Sequence, residues 1–337
     1  LYRKILLNTL ICTIGSMLLM TAAGAEKASD FVMRSSVKES AHAQFTITLS
    51  GENMKDLYAY EAKFKFDPEQ LEVVKAESSF KGFSVSPIIK NNEITFAHTK
   101  IGNVKGEAGN MEISTITFKA KKAGTAKVNW TSMKIIDHDL KDQAFTLKES
   151  IDFTKIFSDI AGHWAKDDIM QMVDKNIVEG IDNDRFAPNN HVTRAQFAAL
   201  IARALELKAG SGKNPFADVK AGSWYEDTVK SAYAAGIING ITSQTFAPDK
   251  SITREEMSVM LMRAKAYAAG VKVDSLKAGS LKGFKDEGEI SEWAKKSAGF
   301  AIASGLLKGR TASAFAPKKQ TTRAESAVVI KRLLAGS

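Results

Sequence analysis

Val192-Thr193-Arg194-Ala195-Gln196, Ile252-Thr253-Arg254-Glu255-Glu256 and Thr321-Thr322-Arg323-Ala324-Glu325 are three versions of one pentapeptide. Each follows a Phe-Ala-Pro tripeptide at the same interval, Phe186-Ala187-Pro188, Phe246-Ala247-Pro248 and Phe315-Ala316-Pro317, and each opens a periodic apolar run. Recurrence at shared offsets marks a repeat architecture. Locally each copy reads as a helix start, with Thr at the N-cap and Gln196, Glu256 or Glu325 at N3 completing a capping box. The Arg at N1 is the odd member. It faces the positive end of the helix dipole, at a cost of about 0.3 kcal/mol or more, and three such placements require a compensating partner.

Further landmarks recur from unit to unit. Phe157-Ser158-Asp159, Trp164 and Gly180 in the first unit become Phe216-Ala217-Asp218, Trp224 and Gly240 in the second, and Phe284-Lys285-Asp286, Trp293 and Gly309 in the third. Trp, Gly, Phe-Ala-Pro and Thr-Arg each advance by 60 and then 69 residues, because the second linker, Ala269 to Gly283, is longer. The units span residues 154–209, 210–269 and 270–337. Each predicts a helix starting near the Trp, which carries Ile169, Met172 and Val173 in the first unit. A glycine turn and a loop pinned by Phe-Ala-Pro follow, then the Thr-capped helix. That second helix has an apolar stripe, Phe197, Leu200, Ile201 and Leu205 in unit one and Val329, Ile330, Leu333 and Leu334 in unit three. Two helices bury too little alone, so the three second helices are expected side by side.

The copies are unequal. Units two and three have Gly236 and Gly305 four residues before the turn glycine, where unit one has Asn176, a residue that tolerates the left-handed conformation. Val192 with Phe197 and Ile252 with Met257 form hydrophobic staples, whereas unit three offers Thr321 and Ser326 and is expected to have the loosest helix start. An acidic segment, Glu287 to Glu292, precedes Trp293 and predicts weaker ligand binding at unit three.

These landmarks resemble the S-layer homology (SLH) family, in three copies covering about 180 residues. The resemblance implies an all-α pseudo-threefold bundle with grooves between units. It further implies an anchor that holds exported proteins to an anionic, pyruvylated secondary polysaccharide of the Gram-positive cell wall. Carried onto this chain, the polymer-binding residues are Arg194, Arg254 and Arg323; Trp164, Trp224 and Trp293; Asp159, Asp218 and Asp286; and Gly180, Gly240 and Gly309. A ketal carboxylate would offset an Arg at a helix N-terminus, Trp offers a flat face to a pyranose ring, Asp accepts from sugar hydroxyls, and Gly lets ligand approach the backbone. Each residue also has a purely structural reading: Trp as packing between helices, Asp as a turn cap, Gly as a conformational requirement, and Arg as the partner of a neighbouring unit's carboxylate.

From about Phe31 to Phe153 the period is two. Phe45 to Leu49, Ala62 to Phe66, Val73-Val74, Ile94 to Phe96, Ile113, Ile116 to Phe118 and Ala126 to Trp130 read as short alternating strands. Ser50-Gly51-Glu52-Asn53, Asp67-Pro68, Lys81-Gly82, Asn91-Asn92 and Ala123-Gly124 punctuate them. The pattern predicts an all-β sandwich of two antiparallel sheets over residues 26–153. Tyr60-x-x-x-Phe64-x-Phe66-Asp67-Pro68-x-x-Leu71-x-Val73, with Ile113-x-x-Ile116-x-Phe118-x-Ala120-Lys121, resembles cohesin modules of bacterial surface scaffolds. That implies a jelly roll binding a dockerin-bearing protein through one sheet face, by variable residues that no motif assigns. A carbohydrate-binding or adhesin module, or a structural S-layer role, remains open. His42 and His98 read as half-exposed sheet residues, and Asp137-His138-Asp139 as a solvated loop, not a metal corner.

At the N-terminus, Arg3 and Lys4 precede an apolar run from Ile5 to Met20 that ends at Ala23-Gly24-Ala25, a secretory signal over residues 1–25. Removal would take away Cys12, leaving a secreted chain without cysteine and without a transmembrane segment. Residues 26–153 hold eighteen basic and eighteen acidic side chains, whereas residues 154–337 hold 27 and 20. The mature excess of +7 thus lies wholly in the repeats, which favours a polyanionic partner other than nucleic acid. No His-Glu-x-x-His, Gly-x-Ser-x-Gly, phosphate loop or cysteine nucleophile is present. The expectation is a non-catalytic protein of the bacterial wall or S-layer surface, with no cofactor and no metal site.

Overall fold

A computed structural model describes residues 30–208 and 214–335; the signal-like stretch 1–25 lies outside the described residues. The first half is a sandwich of two sheets. One has four strands in the order β1 (Asp30–Ser35), β3 (Gln44–Leu57), β8 (Glu107–Ala120), β5 (Leu71–Ser78). The other has six, in the order β2 (Glu39–Ser40), β10 (Asp142–Lys155), β9 (Gly124–Ile136), β4 (Ala59–Phe66), β7 (Glu93–Thr99), β6 (Phe83–Lys90). All pairs are antiparallel except β10 with the two-residue β2. The alternation seen in the sequence is the pleat, with Phe45, Ile47, Leu49, Phe64, Phe96, Ile116, Phe118 and Trp130 pointing inward and fully covered. Phe45 stacks between Phe118 and Phe153, which ties both sheets together. At Asp67-Pro68 the chain turns, Asp67 Oδ1 accepting from the Glu69 amide at 2.9 Å.

His98 departs from expectation. It is buried, 5% exposed, because it faces Tyr60 and Phe80 inside the sandwich edge while Ser84 Oγ meets its Nδ1 at 2.8 Å. Burial pulls its pKa down and pushes the Tyr60 phenol up to about 12. His42 lies in the exposed turn between β2 and β3, and His138 pairs through Nδ1 with Asp56.

The second half is a ring of three helix pairs: α1 (Lys166–Asp174) and α2 (Arg194–Ala204), α3 (Glu226–Ala234) and α4 (Arg254–Ala268), α5 (Glu292–Ala303) and α6 (Arg323–Ala335). The second helices do not simply lie side by side. Each packs chiefly on the first helix of the next unit, α2 on α3, α4 on α5 and α6 on α1, which closes the ring. At its centre Val192 N–H donates to Thr321 O, Thr321 N–H to Ile252 O, and Ile252 N–H to Val192 O, a cyclic triangle of bonds at 2.9–3.0 Å. Isolated antiparallel bridges, His191 with Thr322, Thr193 with Ser251 and Thr253 with Gln320, stitch the same three contacts. An all-α description therefore omits the β-type pairing that joins the units. Asn176 takes φ 56°, matching Gly236 and Gly305 at 68° and 72°, so the turn survives the substitution.

No free linker separates the halves. Strand β10 runs into Ile156-Phe157 of the first repeat, buried Lys155 reaches Asp184, and Asp174 of α1 accepts from Thr125 N–H and Oγ1 of β9. Among the described residues no helix is long and apolar enough to cross a membrane.

Candidate functional site

The three Thr-Arg helix starts share one construction. Thr193 and Thr253 accept from the N3 amide while Gln196 and Glu256 answer to the cap amide, and Thr322 with Glu325 repeats the exchange. The next two amides are also taken. Arg194, Arg254 and Arg323 N–H donate to Lys250, Lys319 and Asn190 O, and the following residues donate to Pro248, Pro317 and Pro188 O. The helix N-termini thus spend their donors on the adjoining repeat's loop, which corrects the expectation of an anion seated there.

The Arg side chains answer the puzzle of a cation at N1. Arg194 Nε donates to Phe246 O at 2.8 Å and Nη2 to Asn239 O at 3.1 Å. Arg254 makes the same pair to Phe315 O and Lys308 O, and Arg323 to Phe186 O and Glu179 O. Each guanidinium also lies over the Phe ring of that loop, 4.5 to 5.4 Å from its centroid. The order is cyclic, repeat one onto two, two onto three, three onto one. Arg194 and Arg254 are only 4% and 3% exposed; burial lowers their pKa, opposed by Glu256 and Glu325. Their main partners are backbone carbonyls, with a carboxylate added in two of the three copies.

The aspartates hold the other side of the loop. Asp159 takes the amides of Phe186 and Ala187 on its two oxygens, Asp218 those of Phe246 and Ala247, and Asp286 those of Phe315 and Ala316, all at 2.6–2.9 Å. This bidentate grip keeps Ala187, Ala247 and Ala316 at φ 57–60°, a left-handed conformation that costs an alanine roughly 1 kcal/mol or more. The structure gives Asp159, Asp218 and Asp286 this loop-holding job, and they do not line the groove cavities described below. Gly180, Gly240 and Gly309 are required by packing: a Cβ there would come within 2.4–2.7 Å of the ring of Phe157, Phe216 or Phe284.

Trp164, Trp224 and Trp293 are 68%, 61% and 59% exposed, which rules out their reading as core. Two of them border cavities assembled from three repeats. In the first, of about 200 Å³, Trp224 of repeat two faces Gly180, Gln196, Leu200 and Arg203 of repeat one and Arg323 of repeat three. In the second, of about 490 Å³, Trp293 faces Gly240, Glu256, Met260 and Arg263 of repeat two and Arg194 of repeat one. The grooves lie between units, as expected, but the acidic segment before Trp293, expected to weaken binding at unit three, neighbours the cavity built mainly from repeat two. Sequence reasoning missed Arg203, Arg263 and Arg332, although they keep the same 60 and 69 spacing. Arg203 Nη1 bonds Ile177 O and Arg332 Nη1 bonds Leu306 O. Arg263 is pulled below its ordinary pKa by burial alone. Glu256 lies between Arg194 and Lys250. Burial would raise its pKa, but the Thr253 amide and these two cations outweigh it and hold it below the usual carboxylate value.

The family comparison agrees with this geometry. Profiles described as S-layer homology domain match residues 156–198, 215–258 and 283–327, and a cohesin domain matches residues 34–149. The chain carries one cohesin domain and three SLH domains. An amylopullulanase of Thermoanaerobacterium thermosulfurigenes is 39% identical over 190 residues, 56% of this chain and 10% of that protein. A surface-layer 125 kDa protein of Lysinibacillus sphaericus is 34% identical over 184 residues, 53% of this chain and 14% of that one. The chain thus spans a small part of the relatives it matches, and the enzymes among them share only the SLH and cohesin portion. A cohesin module of a Clostridium perfringens family 33 glycoside hydrolase superposes with a TM-score of 0.32 at 14% identity, over 37% of this chain and 95% of that one. SLH domains and surface-layer relatives indicate a cell-surface, cell-wall-associated protein. Both matched domains are of non-catalytic kinds.

Proposed function

We propose that this chain is a secreted, non-catalytic wall anchor that grips an anionic, pyruvylated secondary polysaccharide in its SLH grooves and displays a cohesin module to a dockerin-bearing protein. The observation that carries the anchor is the set of exposed tryptophans, two of which face cavities bearing an arginine from one neighbour repeat and a second arginine from another. An exposed indole gains when a flat apolar surface covers it and takes its face out of water, and a pyranose ring supplies one. The paired guanidinium groups favour a carboxylate on that ring, and several modest grooves add up on a repeating polymer. On this reading the Arg and Trp positions expected from sequence meet the polymer, while the glycines shape the turn beside it. The aspartates act one step back, by holding the loop whose carbonyls hold the Arg.

On the cohesin side, edge strand β6 leaves Phe83, Val85, Ile88 and Ile89 at 42–60% exposure. An apolar edge of this kind supports partner capture. A glycan-binding sandwich is the second reading, favoured by nothing of equal weight. For the anchor, full-length protein is expected to sediment with wall fragments that retain the secondary polymer and to stay in solution once the polymer is stripped. Sedimentation indifferent to stripping would sink the anchor. For the cohesin, binding of a polysaccharide in place of a dockerin module would favour the second reading.

A further inference from the structure

The chain holds a third set of the same groove parts, Arg254, Gly309, Glu325, Arg332 and, by the cyclic order, Trp164, but one residue breaks the pattern. The position after the turn glycine is Ile181 in repeat one and Ile241 in repeat two, both half exposed, and Arg310 in repeat three. Ile241 lines the larger cavity. Arg310 instead reaches across to α6, where Nη2 lies 3.0 Å from each oxygen of Glu325 and Nε 3.3 Å from one of them. The same Nη2 donates to Gln320 O at 3.2 Å.

Glu325 is the counterpart of Gln196 and Glu256, which line the two cavities. It also accepts from the Thr322 amide and from Arg254 Nη1 at 3.4 Å. One carboxylate therefore joins the turn at Gly309 to the first turn of α6 through a forked ion pair, a tie that isoleucine cannot make. Two of the cations that an incoming anion would meet there, Arg254 and Arg310, are already committed to Glu325, and Arg332 is bonded to Leu306 O.

We propose that Arg310 seals the third groove from within, so that the chain grips its anionic polymer through two grooves and not three. The inference rests on the reading of the grooves as polymer sites. A ligand carboxylate entering the third groove meets Glu325 held in place by two guanidinium groups, so like charge and lost ion pairs both oppose it. In the second groove Glu256 also meets two cations, Arg194 at 3.6 Å and Lys250 at 3.1 Å, but Ile241 after the turn glycine cannot bridge to it, and the first groove has Ile181 and Gln196 at the same two positions.

Titration calorimetry of the full chain with a methyl hexoside bearing a 4,6-pyruvate ketal separates the possibilities. Wild type is expected to bind two ligands, R310I three, and I241R, which copies the tie onto Glu256, one. R310A serves as a second opening variant, and an unchanged thermal midpoint certifies each fold. Three sites in wild type, or two in both R310I and R310A, would overturn the seal while leaving the polymer reading intact. No saturable heat from wild type would overturn the polymer reading, and the seal with it.

Discussion

The sandwich and the repeat ring solve the same problem of cohesion in opposite ways. The sandwich is held by two apolar sheet faces, and its polar side chains are largely free to change without touching the core. The ring is tied by polar groups: an Arg from each repeat, buried in two of the three, bonds two carbonyls of the next, and an Asp sets the strained loop that presents the Phe carbonyl of that pair. Under the proposed function, binding separates from structure in the first and shares its arginines with structure in the second. Tryptophan makes the contrast plain. Trp130 of the sandwich is fully buried, whereas the one Trp in each repeat lies mostly in water.

The largest expected break is R254A. It leaves Phe315 O, Lys308 O and the carboxylate of Glu325 without their buried partner, at a cost of about 3 kcal/mol. Calorimetry of the full chain is expected to show the ring's transition falling well below the sandwich's; one undisturbed transition would argue against the polar tie. D218N comes next. The amide oxygen satisfies one of the two loop N–H groups and its NH₂ faces the other, so about 1–3 kcal/mol is lost in the same transition.

Acid should act on the ring through Glu256 and Asp286, whose folded pKa values lie below ordinary. For Asp286 burial works the other way and is outweighed by the Phe315 and Ala316 amides. Their contribution is full above the unfolded carboxylate value of roughly 4 and is lost as pH falls through the lowered folded values. The ring's melting temperature is expected to drop below about pH 4, with a shallower drop in E256Q; an equal slope in both proteins would remove Glu256 from the account. The smallest stability effect belongs to the exposed edge of the sandwich, where F83S and I88S should each shift stability by less than about 0.5 kcal/mol while weakening partner capture.

The same contrast governs what the sequence shows. Repeat landmarks at 60 and 69 residues disclose the ring and its capping boxes because each copy confirms the others. Period-two strands disclose the sandwich, yet β1, β6 and β10 escaped the strand reading: β6 exposes apolar residues on both faces, and β10 is largely polar outside its end. The role of Arg194, Arg254 and Arg323 was half legible. Their clash with the helix dipole predicted a compensating partner, but carbonyls from another repeat are a product of ring closure that no local pattern encodes. Arg203, Arg263 and Arg332 were legible by spacing alone and were overlooked because they sit inside the amphipathic run. Burial of His98 could not be read because it depends on Phe80, which precedes its strand and folds under it.

The most direct measurement compares wild type with the triple variant W164A/W224A/W293A in sedimentation with polymer-bearing wall fragments, alongside the melting temperature of each. Because the indoles are exposed, the account predicts an unchanged melting temperature and loss of the variant from the pellet. A variant that still sediments like wild type, or one that unfolds, would contradict the claim that these side chains serve the polymer and not the fold.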